Sequence, residues 1–140
     1  MCYRLVVASD RPLPTRRLSD HVQVVPSHST AEGVQHFPTG WHLVDIITVQ
    51  CACDLVFDPR QRGPRAAERR RRIHEDYSAI AVWAEEQLQA RHRPLSMYLC
   101  WWSDFALPPL DRTVWNIESL RAPDAHVPER TLIEFVTAGA

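Results

Sequence analysis

The chain has 140 residues, 45% hydrophobic and 24% charged, the proportions of one compact domain spanning residues 1–140. Its 16 basic and 17 acidic side chains leave a net charge of -1, which excludes a globally basic nucleic-acid binder and a strongly acidic solvating tail. No apolar stretch reaches the ~20 residues that cross a bilayer. The run Leu5 to Ala8 is too short for the h-region of a secretory signal, so a cytoplasmic protein is expected.

All 16 basic residues are arginine. Schiff-base and P-loop chemistry both need a lysine amine and are excluded. A guanidinium stays protonated near neutral pH, so any proton transfer falls to histidine, cysteine or carboxylates.

Residues 2–8, centred on Val6 and Val7, predict a first strand, and Asp10, Pro12 and Pro14 an extended turn after it. Residues 21–25 predict a short strand closed by Pro26. Ser29, Thr30 and Glu32 predict one or two helical turns before Gly33 and Pro38. Over residues 41–57, Trp41, Leu43, Ile47, Val49, Cys51, Cys53, Leu55 and Phe57 share one parity and would look inward together on an unbroken strand. Val44, Ile46 and Val56 take the other face, which predicts a central strand covered on both sides or two strands joined near Gln50. Asp45 falls on the inward parity as an exception.

Over residues 64–93 the period becomes helical, with Ile73, Tyr77, Ile80, Ala81, Ala84 and Leu88 recurring at steps of three and four. A helix over residues 65–92 is predicted, with Pro64 in its first turn, Arg91 and Arg93 near its C-terminal end and Pro94 as its stop. Leu95, Met97, Leu99 and Trp101 then alternate with Ser96, Tyr98, Cys100 and Trp102 as a strand. Pro108 and Pro109 end that region, residues 121–128 read as a loop, and residues 131–136 give a last strand. The order predicts an α+β domain with one long helix packed on a mainly antiparallel sheet built from segments near residues 3, 45, 98 and 133.

The opening Met1-Cys2-Tyr3-Arg4-Leu5-Val6-Val7-Ala8-Ser9-Asp10-Arg11-Pro12-Leu13-Pro14 resembles the start of a family of small uncharacterised bacterial proteins that begin Met-Cys and carry an Ala-Ser-Asp-x-Pro-Leu-Pro stretch. Cys51-Ala52-Cys53-Asp54-Leu55 sits where that family has a Gly-Cys-Gly-Cys-Gly-Phe segment, and Leu99-Cys100-Trp101-Trp102-Ser103-Asp104, Pro108-Pro109 and residues 129–135 fit its C-terminal half. The resemblance implies a shared fold and a shared cysteine site, and supplies no reaction. Gln50, Ala52 and Asp54 stand in place of its glycines, and Ala and Asp tolerate positive φ less readily than Gly.

The cysteines are at positions 2, 51, 53 and 100. Cytoplasmic thiols are kept reduced, which leaves metal binding, thiol chemistry or plain burial. On an extended strand the thiols of Cys51 and Cys53 would point to one face about 6.5–7 Å apart, within reach of one ion. Cys2, Cys51 and Cys53 are therefore the candidate metal ligands, with Cys100 or a histidine as a fourth for zinc, or no fourth for copper(I). The rival is a thiol-dependent enzyme or redox protein, which needs one cysteine of depressed pKa beside a histidine. His42 is near Cys51 in sequence but of opposite parity. A non-catalytic interaction domain with all four thiols buried is the third reading.

Arg60, Arg62, Arg65, Arg69, Arg70, Arg71 and Arg72 crowd one span with Glu68 as its only acid. No aromatic interleaving or nucleic-acid motif accompanies them, so a solvated face is expected rather than a nucleic-acid partner, although positive charge at a helix start is disfavoured by the macrodipole. Trp41, Trp83, Trp101, Trp102 and Tyr98 should be mostly core. Trp101 and Trp102 should face opposite sides of their strand, and an exposed one together with free sheet edges leaves a homodimer open.

Overall fold

The computed structural model describes residues 2–32, 34–56, 60–91 and 94–136. Strand β1 (Tyr3–Ser9) is central because its residues Leu5, Val6, Val7 and Ala8 are apolar on both faces, and all four are fully buried. It pairs antiparallel with β4 (His42–Ile47) on one side and with β5 (Leu95–Trp101) on the other. Beyond β4 lie β3 (Gln23–Pro26) and the two-residue β2 (Arg16–Arg17), and beyond β5 lie β7 (Thr131–Val136) and β6 (Asp111–Asn116). The sheet order is β2-β3-β4-β1-β5-β7-β6, antiparallel throughout except for β6 with β7.

Helix α1 (Pro64–Arg91) covers one face, the α+β arrangement that the periodicity predicts. Gly63 at φ 97 precedes Pro64, whose fixed φ and missing N–H suit a first helical position. Ile73, Tyr77, Ile80, Trp83, Ala84 and Leu88 from the helix join Leu5, Val7, Val44, Ile46, Met97, Leu99 and Ile133 from the sheet in one apolar cluster. The opposite face carries a smaller cluster of Val6, Ala8, Tyr98, Cys100 and Leu132 under Ala31, Phe37 and Phe105. Both faces of β4 are thus covered, with Val44 and Ile46 on the helix side and Leu43 against the smaller cluster. Ile80→Ala should lower the unfolding free energy by about 2–5 kcal/mol in a denaturant titration, the transfer cost plus that of the cavity left beneath α1.

Three local expectations are corrected. The strand over residues 41–57 stops at Ile47, because Thr48 folds back and donates from both its N–H (3.0 Å) and its Oγ1 (3.2 Å) to the Cys51 carbonyl. The alternation past that point has no sheet to face: Val49 is 75% exposed, whereas Leu55 is buried from a 3-10 turn over Cys53–Leu55. No helix forms over residues 29–32, where Ser27 and Ser29 instead receive the Arg4 guanidinium. Strands β2 and β6 fall on residues to which the sequence assigned no element. β6 alternates only weakly and leaves Val114 59% exposed at the sheet edge, so hydrophobic patterning does not reveal it. Trp102 has left the strand to start a 3-10 turn, Trp102–Asp104, with Trp101 stacked on Tyr3 at 3.9 Å and Trp102 over Arg4. The expectations placed on Gly33, Phe57, His92 and Arg93 lie outside the described residues.

Candidate metal centre

The turn after β4 and the start of β1 are joined beyond their ladder by a backbone bond from the Ala52 N–H to the Tyr3 carbonyl at 3.1 Å. That bond sets the turn carrying Cys51 and Cys53 beside the start of β1. Cys2 is held there in turn by the Trp102 N–H, which donates to its carbonyl at 3.1 Å. The Sγ atoms of Cys2, Cys51 and Cys53 consequently lie within 4.8 Å of one another, close enough to hold a metal ion.

The convergence predicted from sequence is present, but for a different reason. Cys51 and Cys53 are not two steps along a strand. The compact turn brings their sulfurs to 2.9 Å, with the Cys51 thiol donating to Cys53 Sγ, instead of the wider strand spacing. Ala52 manages this turn at φ -95, and among the described non-glycine residues only Arg130 has positive φ, so the turn needs no glycine.

Burial and donation to its neighbour raise the Cys51 pKa. For Cys53, burial acts in the opposite direction to its hydrogen bonds, and the bonds prevail: Cys51, the Tyr3 N–H at 3.3 Å and Cys2 all favour the thiolate and lower its pKa. The cluster therefore contains one sulfur, Cys53, whose thiolate form is favoured by its neighbours. Cys2 is exposed and the other two are half-buried, so the site opens to solvent on the Cys2 side.

Cys100 is no fourth ligand. It is fully buried in the cluster on the sheet face away from the helix, where burial pushes its thiol up to about 12. His42 pairs with Ser9 at the end of β4 remote from Cys51. Among the described residues no histidine, carboxylate or further cysteine joins the three thiols.

Three supports were not foreseen. Arg69 donates to the carbonyls of Cys53 and Val56 at 3.3 Å each, Thr48 Oγ1 shares its one proton between the Cys51 carbonyl and Asp54 Oδ2 at 3.3 Å, and the buried Tyr77 hydroxyl donates to the Leu55 carbonyl at 3.0 Å while accepting from the Val127 N–H at 3.3 Å. The helical period placed Tyr77 inward, but its polar end had no visible destination in the sequence. Tyr77→Phe strands two buried backbone groups and should lower the unfolding free energy by about 1–3 kcal/mol, with faster amide exchange at Leu55 and Val127 as its local signature.

Comparison with protein-family models, curated proteins and solved structures finds no match to this chain. No described helix is long and apolar enough to cross a membrane.

Proposed function

We propose that this is a cytoplasmic metal-thiolate protein in which Cys2, Cys51 and Cys53 bind one soft or borderline ion, with zinc first and copper(I) second. The observation that carries the reading is the convergence of three sulfurs from two distant chain segments. Three thiolates at about 2.3 Å from zinc stand about 3.8 Å apart in tetrahedral geometry, and small side-chain rotations reach that from the arrangement present. Zinc would take its fourth ligand from solvent or a small molecule on the open Cys2 side, whereas copper(I) is satisfied by the three sulfurs alone. The resemblance to the Met-Cys family supports the same assignment, because its motifs fall on these three residues.

A second reading has its own observation. Cys51 and Cys53 are in contact with pKa values displaced in opposite directions, the asymmetry of a thiol pair in which one sulfur attacks and the other resolves. Elemental analysis of the freshly purified chain beside a native thiol titration separates the two. About one equivalent of metal, with the clustered thiols silent until chelator is added, is expected for the metal protein. Absence of metal with one fast-reacting thiol replaces it with the redox protein, and absence of both metal and reactive thiol overturns both readings.

A further inference from the structure

The arginine run was expected to be a solvated face, but its members are used unequally. Arg71 pairs with Glu68 and with Glu75 at 2.6 Å, Arg70 donates to the Gln61 carbonyl at 2.6 Å, and Arg69 caps the turn that holds Cys53. Arg65 and Arg72 make no hydrogen bond or salt bridge among the described residues. They sit with Arg69 at steps of four and three, on one side of α1 over about 10 Å of its length. All three guanidinium-bearing residues line a cleft of about 440 Å³ together with His21, Asp54 and Asp76.

Each acid of the cleft has a hydrogen-bonding partner. Glu68 pairs with Arg71, and Asp54 accepts from Thr48 Oγ1. Asp76 is only 6% exposed and accepts from His21 Nδ1 at 2.9 Å, while His21 Nε2 lies 3.5 Å from Asp54 Oδ2. His21 is thereby fixed in place by groups on two different elements, α1 and the turn after β4. Arg65 and Arg72 are the guanidinium groups of the cleft without a hydrogen-bonding partner among the described residues, and Arg65 lies in the first turn of α1, which holds no acid. A bound anion would give these two guanidinium groups a partner and would offset the unfavourable position of Arg65 at the helix start. Guanidinium forks suit the tetrahedral oxygens of a phosphate, and the volume exceeds what an inorganic ion fills.

We propose that this cleft binds a small phosphate-bearing molecule, with Arg65 and Arg72 gripping the phosphate and the His21–Asp76 pair facing the remainder of the ligand. The cleft adjoins the cysteine turn through Asp54 and Arg69, but its lining includes none of the three cysteines and the proposal does not depend on the metal reading. Nucleic acid is disfavoured because the cleft is a pocket on one side of the helix and the rest of the run is spent on internal pairs.

The test is a titration of inorganic phosphate into the uniformly 15N-labelled full chain, following arginine Nε–Hε and His21 ring signals. Saturable shifts confined to Arg65, Arg69, Arg72 and His21 are expected, with affinity reduced at least ~10-fold in the Arg65→Gln/Arg72→Gln double variant, since charge-assisted bonds are lost. The charge-matched Arg11→Gln/Arg112→Gln variant, on loop and edge-strand positions, should bind as the parent does. Non-saturating shifts spread over all arginines, or equal weakening in both double variants, would show general ion attraction and overturn the proposal. A single-stranded oligonucleotide that shifts the same signals at far lower concentration than phosphate would also overturn it, in favour of a nucleic-acid partner.

Discussion

Asp45→Asn is expected to lower the unfolding free energy by about 3–5 kcal/mol, because it leaves the Arg4 guanidinium buried without a counter-charge. Arg4 is 2% exposed and Asp45 3%. The Arg4 Nη2 donates to both carboxylate oxygens of Asp45, at 2.8 and 3.1 Å, and to Ser27 Oγ at 3.0 Å, while Nη1 donates to Ser29 Oγ at 2.8 Å. Above and below, the guanidinium carbon stands 4.2 Å from the Trp102 ring and 4.4 Å from the Phe105 ring. Such a pair is held by every bond it makes, so removing one partner costs far more than exchanging both. The double variant Arg4→Met/Asp45→Leu should therefore be less destabilised than Asp45→Asn alone, and a denaturant double-mutant cycle measures the coupling. Equal or additive losses would show that the ion pair contributes only packing.

Cys53→Ser should abolish metal retention altogether, taking the stoichiometry from about one equivalent to none, whereas Cys100→Ser should leave it unchanged. Cys53 is the sulfur most stabilised as an anion, receiving the Tyr3 N–H and the Cys51 thiol, and a serine hydroxyl offers neither the softness nor the charge a borderline ion requires. Binding needs all three sulfurs deprotonated, so protons compete with the metal. Retention should fall as the pH is lowered and recover as it is raised. Metal that binds N but not the unfolded chain adds to stability, so chelator should lower the thermal midpoint of the parent and leave that of Cys53→Ser where it is. Loss of metal from Cys100→Ser as well would indicate that the fold, rather than the sulfurs, governs retention. Metal retained by Cys53→Ser would remove it from the ligand set.

The same two sites show how far patterning carries. Asp45 was visible as an exception on the inward parity of an apolar strand, and Arg4 sits among apolar residues of another strand. Their pairing was not visible, because it depends on the antiparallel register that aligns β1 with β4. Likewise the alternation from Trp41 to Leu55 continued past Ile47 without a strand to sustain it. Alternation describes which way successive residues would face if extended, and it does not report where hydrogen bonds, here those of Thr48 to Cys51, reverse the chain.

By itself the sequence determined the long helix and its buried face, since a period of three to four residues sustained over about four turns has one physical solution, and it determined β1, β5 and β7 from their apolar runs. It also determined which residues have the chemistry to hold a soft ion. Only the tertiary structure decided that Cys2 meets Cys51 and Cys53 while Cys100 is sealed on the opposite face of the sheet, and that His21 and Asp76 close a cleft under three arginines. Those juxtapositions rest on contacts between segments far apart in the chain, the Ala52 bond to Tyr3 and the packing of α1 on the sheet, which local periodicity does not encode.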